Sequence, residues 1–179
     1  MSGQSKHNPF WGDIFTKNKE KAKLSTADFL RSIPIFEDLS RREINRHLNI
    51  IHEREFKPGE YLFKVNQPGT AMFIIADGEV EIVLPNKEGQ ETILATLKPG
   101  NFLGELAMLD ESPRSASARG KTHTKALAFF RSDLNRLLDI EPIIASKIYK
   151  ALSLIIGMRL KATNDRLAEI DNRKLEKSA

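Results

Sequence analysis

The 179-residue chain has no cysteine. That absence removes disulfide frameworks, thiolate metal sites and cysteine nucleophiles together, and it suits a reducing compartment. Long hydrophobic runs are missing too: no segment reaches the ~18 apolar residues of a membrane-spanning helix. The N-terminus, MSGQSKHNPFWGDIF, lacks the basic-then-apolar order of a secretory signal, so a cytoplasmic protein with no membrane span is expected. Histidine is scarce. His7, His47, His52 and His123 are scattered; His47 and His52 are five apart and would splay on a helix, and HEREF lacks the second histidine of a zinc-protease motif. No metal site is expected. The chain also has no G-x-S-x-G, no S-x-x-K and no glycine-rich loop of the Walker or dinucleotide type, so neither catalysis nor a cofactor is expected.

What is present reads as a globular chain. Hydrophobic residues make up 40% and charged residues 29%, enough for one domain with a real core, with or without appendages. The net charge of +4 and pI near 9.3 invite a nucleic-acid reading. The charge is concentrated, however: Lys6, Lys17, Lys19, Lys21 and Lys23 oppose only Asp13 and Glu20, so most of the excess sits in the first 24 residues. A basic tail of this kind is ordinarily solvated.

Four zones follow along the chain. Residues 1–24 form a basic N-terminal extension around an apolar knot of Phe10, Trp11, Ile14 and Phe15. Next, LSTADFLRSIPIFEDLSRREINRHLNII reads as broken helix: Ser25 caps a first helix, Pro34 ends it, and Ser40 with Glu43 forms a capping box for a second. From Glu53 to about Phe130 the pattern changes to short β-prone runs, YLFKV, AMFIIA, EVEIVL, ETILATL and KALAFF. Turn signals at Pro58-Gly59, Pro68-Gly69, Asp77-Gly78, Lys87-Glu88-Gly89 and Pro99-Gly100 separate them. Runs at about ten-residue spacing with no long helix between them predict an antiparallel sandwich or jelly roll. Within this zone 102–109 alone reads as one or two helical turns.

The fourth zone is helical. Ser132 reads as the cap of DLNRLLDI, and Pro142 opens a helix running to about Lys177 that only Gly157 interrupts. At ~1.5 Å per residue this helix is about 50 Å long, too long for one small domain to bury. Ile156, Leu160, Thr163, Leu167 and Ile170 fall at coiled-coil spacing. A homodimer through this helix and packing of the helix on its own barrel are both open on that pattern.

One stretch carries chemistry: FLGELAMLDESPRSASARG, 102–120. If a helix starts after Gly104, the amides of Glu105, Leu106 and Ala107 are donors pointing out of its N-terminus, where an anion is favoured. Arg114 adds a planar fork of donors that fits a phosphate edge. Ser115 and Ala116 are small enough for the start of their strand to approach the same anion. Glu105 cannot serve that anion, because like charges repel; it needs a neutral donor such as a sugar hydroxyl. Phosphate beside hydroxyl describes a nucleotide. The competing structural reading makes Gly104 a helix-start glycine and Arg114 the salt-bridge partner of Glu105.

At these residues the chain resembles the cyclic nucleotide-binding domains, whose phosphate-binding cassette is written F-G-E-L-A-L, a short gap, then P-R-x-A. IPIFEDLS, FKPGEYLF, MFIIADGEVEIV, LKPGNFLGE and EPIIASKIYKALSLIIGMRL follow the same family's pattern in order, so the resemblance spans about 27–170. It implies a mainly β fold: an antiparallel double-stranded β-helix, or jelly roll, with N-terminal helices and a long C-terminal helix. The expected divisions are the extension 1–24, the β-roll with its helices over 25–141, and a lid or dimer helix over 142–179. It implies cAMP or cGMP as ligand, with Gly104, Glu105, Leu106, Ala107, Arg114, Ser115 and Ala116 on phosphate and ribose. Ile82 and Leu97 match positions facing sugar and base. MRLKATNDRL resembles the dimer-helix segment of the family's bacterial catabolite activators, which places Arg159, Thr163 and Asn164 at the base and pocket wall.

Two departures stand out: VNQPGT replaces the family's Gly-Asp turn, and Leu103 replaces the phenylalanine before Gly-Glu. No DNA-binding domain is expected in the chain. The expected function is a stand-alone sensor, for cAMP rather than cGMP, that signals occupancy to an unknown protein effector through its terminal helices. The alternative is an interaction or scaffold domain of the same fold that does not depend on nucleotide; a DNA-binding regulator rests on pI alone. Glu105 and Arg114 occurring together favour the sensor. Ser115 leaves base preference open, because in the family a threonine there accompanies cGMP, while Thr163 and Asn164 could read the adenine amino group.

Overall fold

Polar caps start the two N-terminal helices. In a computed structural model, which describes residues 25–86 and 90–176 and side chains as far as Glu169, Ser25 caps α1 (Thr26–Arg31). Ser40 and Glu43 form the reciprocal capping box of α2 (Arg41–Arg46), with bonds of 3.2 and 2.7 Å. α1 stops short of Pro34 because Ile33, the residue before the proline, is extended, and Pro34–Phe36 forms a 3-10 turn. The segment 1–24 with its apolar knot, the Lys87-Glu88-Gly89 turn and the Ile170 side chain lie outside the described residues.

Eight strands follow: β1 (Ile51–Phe56), β2 (Tyr61–Phe63), β3 (Ala71–Asp77), β4 (Val80–Pro85), β5 (Glu91–Leu97), β6 (Phe102–Leu103), β7 (Ser117–Gly120) and β8 (Thr124–Phe130). They form two four-stranded antiparallel sheets, ordered β1-β8-β3-β6 and β2-β7-β4-β5. The spacing of the turns left sandwich and jelly roll open; the fold is the jelly roll that the family resemblance implies. α3 (Arg131–Ile140) and α4 (Pro142–Glu176) complete the fold.

Strand alternation divides the apolar residues between two cores. Met72, Ile74, Phe102, Leu127 and Phe129 face the helices and pack with Leu30, Phe36, Leu134, Leu137, Ile148 and Leu152. Ile75, Val80, Ile82, Leu97, Leu103 and Ala118 fill the roll. A fully buried side chain of this size is worth ~1.5–3 kcal/mol, so sheet and helices are held as one body.

Four local readings are corrected. Phe102 and Leu103 are not helical: they pair with Ile74 and Phe73 as a short strand, because their side chains belong to opposite cores. Ser115 and Ala116 precede β7 rather than opening it. Ser132 is not a cap; α3 starts at Arg131, whose N–H is satisfied by the Thr70 carbonyl at 2.9 Å. His47 closes α2 whereas His52 lies on β1, so the two do not share a helix.

α4 has two halves. Ile144, Ala145, Ile148, Leu152 and Ile155 are buried, and beyond them Leu160 and Leu167 are 60% and 55% exposed. The described part of the 4-3-4-3 seam is therefore largely uncovered. No described helix is long and apolar enough to cross a membrane.

Candidate functional site

Gly104 ends β6 with φ 75° and ψ 21°, a left-handed conformation in which a side chain is strained. The turn releases the chain into a single 3-10 helix, Glu105–Met108. Ala107 closes this helix by donating its amide to the Gly104 carbonyl at 3.2 Å. That corrects the expectation of three available amides: Glu105 and Leu106 precede the first intrahelical bond, and Ala107 does not. On its far side the turn rests on Gly69, where an added Cβ would lie 2.7 Å from the Ala107 Cβ. The VNQPGT departure braces Arg114: the Arg114 N–H donates to the Gln67 carbonyl at 2.8 Å, the Arg114 carbonyl accepts from Asn66 N–H at 2.9 Å, and Pro68 bridges Pro113. Asn66 itself sits at φ 66°, which asparagine tolerates better than most residues.

The Arg114 side chain turns back under Gly104. Its Nη1 donates to the Gly104 carbonyl at 3.1 Å and its Nη2 to the Ala71 carbonyl at 2.5 Å. Its Cζ lies 4.1 Å from the centroid of the Phe63 ring, a cation–π distance. Nε is buried with no hydrogen-bond partner, and among the described residues no carboxylate forms an ion pair with Arg114. Burial pushes the guanidinium below its ordinary pKa, opposed by the nearby charge of Glu105. Since arginine does not deprotonate in proteins, this is a desolvated cation that an anion would stabilise.

Glu105, 7% exposed, forms its ion pair not with Arg114 but with Arg159 of α4. Arg159 also stacks 4.8 Å from the centroid of Phe102 and reaches the Phe102 carbonyl at 3.4 Å. The three charged groups therefore carry a net positive charge at the cassette. The structure brings Gly104, Glu105, Leu106, Arg114 and Arg159 together, with Arg159 on the carboxylate.

Ile82 and Leu97 face the roll core, with Ala116 partly buried against it. Ser115 is exposed. Thr163 and Asn164 are exposed on α4, and the Thr163 hydroxyl donates to the Arg159 carbonyl of its own helix at 2.8 Å. A cleft of about 200 Å³ lined by His47, Asn49, Ile50, Asp133, Arg136, Leu137 and Ile140 lies among the helices, away from these residues. Sequence reasoning missed Phe63 and the Ala71 carbonyl, and no spacing signal points to either.

Comparison with known proteins bears on this geometry. The model of the cyclic nucleotide-binding domain family matches residues 53–141. The chain is 33% identical to a cyclic AMP receptor protein of Thermus thermophilus over 132 residues, 74% of this chain and 59% of the relative. It is 36% identical to a cAMP-dependent protein kinase regulatory subunit of Emericella nidulans over 110 residues, 62% of this chain and 26% of the relative. The crystal structure of the N-terminal domain of a Streptomyces coelicolor transcriptional regulator superposes with a TM-score of 0.67 at 30% identity, covering 77% of this chain and 96% of that one. The chain belongs to the cyclic nucleotide-binding domain family, a family of regulatory domains rather than catalytic ones. It spans about a quarter to three-fifths of the length of the curated relatives it matches.

Proposed function

We propose that this chain is a sensor that binds cAMP in preference to cGMP and passes occupancy to a protein effector through its terminal helices. The observation that carries the reading is Arg114: a buried guanidinium held by two backbone carbonyls and a ring face, with no ion pair among the described residues. A cyclic phosphate supplies the missing charge. The amides of Glu105 and Leu106 donate to the same oxygens, and the left-handed Gly104 keeps side-chain bulk away from Arg114. Glu105 takes the ribose 2′-hydroxyl, its carboxylate oriented by Arg159 from α4. Ser115 and Ala116 border the phosphate, and Ile82 and Leu97 lie on the wall below it.

The preference for cAMP is supported by the relatives, which are named for that ligand. Thr163 and Asn164 reach the base only when the outer half of α4 closes on the site. That half, with Leu160 and Leu167 exposed, is the proposed output surface, for a second copy or for the effector. The proposed division leaves 25–141 to hold the ligand and 142–179 to report it.

Calorimetric titration with cAMP and cGMP tests the reading. Saturable binding with cAMP the tighter is expected. Tighter cGMP binding overturns the base preference, and binding of neither overturns the nucleotide and leaves the scaffold alternative.

A further inference from the structure

Arg131, the first residue of α3, has no part in the site described above. Its backbone N–H donates to the Thr70 carbonyl at 2.9 Å, and the next carbonyl, that of Ala71, is the one that holds Arg114. Its side chain reaches to the cassette. Nη1 donates to the Ala107 carbonyl at 3.2 Å and also to the Asp110 carbonyl, and Nη2 lies 3.2 Å from the Glu111 carboxylate. The Ala107 carbonyl belongs to the C-terminal end of the 3-10 turn, where backbone acceptors lack intrahelical donors and a cation is favoured, and the Asp110 carbonyl lies two residues beyond that turn. α3 has no side-chain cap of its own, so its opening residue caps a neighbouring element instead.

The Glu111 contact adds little, because that carboxylate is 90% exposed. The carbonyl contacts are the ones that fix geometry, since the Arg131 side chain is only 20% exposed. The cassette is thus gripped at both ends by arginines of the C-terminal helices: Arg159 of α4 at Glu105 and Arg131 of α3 at Ala107 and Asp110. α3 and α4 are in turn joined through Leu134, Leu137, Ile144 and Ile148, and through a 3.0 Å bond from the Tyr149 hydroxyl to Asn135.

We propose that Arg131 is a positioning residue that couples the cassette to α3; this rests on the nucleotide reading of the cassette. A ligand that reorients the amides of Glu105 and Leu106 must turn the short helix they begin. The Ala107 carbonyl at its other end swings with it, and so does Asp110, whose N–H donates to the Leu106 carbonyl at 3.1 Å. The Arg131 fork follows those carbonyls, and because Arg131 is itself the first residue of α3, the helix start is displaced too. A ligand shifts an equilibrium only through contacts that differ between two states, and this contact converts a cassette rearrangement into one of the helices.

The test uses hydrogen exchange on the full chain with and without saturating cAMP. In the wild type, ligand slows exchange in both 104–111 and 131–140, by about fivefold or more where the coupling is of ordinary size. Arg131→Gln is expected to keep the slowing in 104–111, lose it in 131–140, and bind within about fivefold of wild-type affinity. Arg131→Lys, which keeps a charged donor for the carbonyls on a shorter side chain without the planar fork, falls between and serves if the Gln variant fails to fold. Glu111→Gln behaves as wild type in both segments. A merely structural Arg131 would lower the melting temperature yet leave the response of 131–140 intact, and that result overturns the proposal. So does a wild type in which the cassette responds and 131–140 does not. Absence of calorimetric binding by the wild type sinks the nucleotide reading first, and is distinguishable from both.

Discussion

Arg114 and Arg119 lie five residues apart and have opposite surroundings. Arg119, on β7, faces outward directly across from Glu81 on β4 and Tyr61 on β2. It donates to Glu81 at 3.0 and 3.1 Å and to Glu91 at 2.6 Å, and the Glu81 bonds raise its pKa above the ordinary arginine value. Arg114 is buried, touches carbonyl dipoles instead of carboxylates, and has its pKa pushed down by desolvation. Arg119 is neutralised within the protein. Arg114 is positioned by the protein but not neutralised, and that unmet charge is what separates a receptor arginine from a structural one.

The largest effect is expected at Arg114. Arg114→Leu removes the charge-assisted bonds to phosphate, worth about 3 kcal/mol, so cAMP affinity should fall roughly a hundredfold. Stability should change little, because losing two carbonyl bonds is offset by removing a desolvated charge. Calorimetry and thermal melts read the two quantities separately. Binding at the wild-type level would place the phosphate elsewhere and dissolve the contrast with Arg119. Gly104→Ala comes next. The left-handed backbone costs roughly 1–2 kcal/mol with a Cβ present. That Cβ would also lie 2.4 Å from Arg114 Nη1 and 3.3 Å from the Ala71 carbonyl, so the guanidinium must leave its seat. An affinity loss of about tenfold or more with the fold retained is expected in the same titration, and an unchanged affinity would show that the seat of Arg114 does not matter.

The contrast between the two arginines was only half legible in the sequence. An antiparallel β architecture is readable because glycine- and proline-bearing turns cut β-prone runs at regular spacing, the jelly roll itself only through the family resemblance, and the Ser40–Glu43 box is readable because capping is local. Gly104, Glu105 and Arg114 could be picked out by residue type and spacing. Their pairing could not. The ion pair Glu105–Arg159 joins residues 54 apart in the chain and depends on the fold setting Arg159 of α4 against Phe102. Phe102 and Leu103 read as helical by their neighbours; only the two cores on opposite sides of β3 decide that they form a strand. Ser132 reads as a cap by type, whereas α3 starts at Arg131, whose N–H is met by a tertiary partner, the Thr70 carbonyl.

A smaller, pH-dependent effect is expected where a carboxylate is satisfied as Arg119 is. Glu43 accepts from Lys147 of α4 at 2.8 Å and from Ser40, and these bonds hold its carboxyl at about 2, below the ordinary 4.5. A folded-state pKa below the unfolded value stabilises fully above about 4.5, and the contribution disappears as pH falls toward 2. Glu43→Gln should therefore cost about 1 kcal/mol at pH 7 once solvent screening is allowed for. The gap between wild type and variant should close on acidification in thermal melts at successive pH values. A gap that stays constant would assign the cost to the capping box alone.

The smallest effect should be at Arg119, although its side chain makes more hydrogen bonds than that of Arg114. Arg119→Leu strands Glu81 and Glu91, but both remain near solvent with side-chain exposures of 12% and 34%, and Glu91 keeps its 2.5 Å bond from the Tyr61 hydroxyl. Cross-strand ion pairs of this kind contribute up to about 1 kcal/mol, and leucine recovers part of that by its own strand packing. The expected outcome is a stability loss within about 1 kcal/mol and a cAMP affinity within twofold of wild type. The neighbouring Ala118 faces the roll, so β7 still presents its inward side unchanged to the site. If Arg119→Leu weakened binding as much as Arg114→Leu, the outer network would be part of the receptor. Affinity would then depend on the net charge around β7, and the burial of Arg114 would explain nothing.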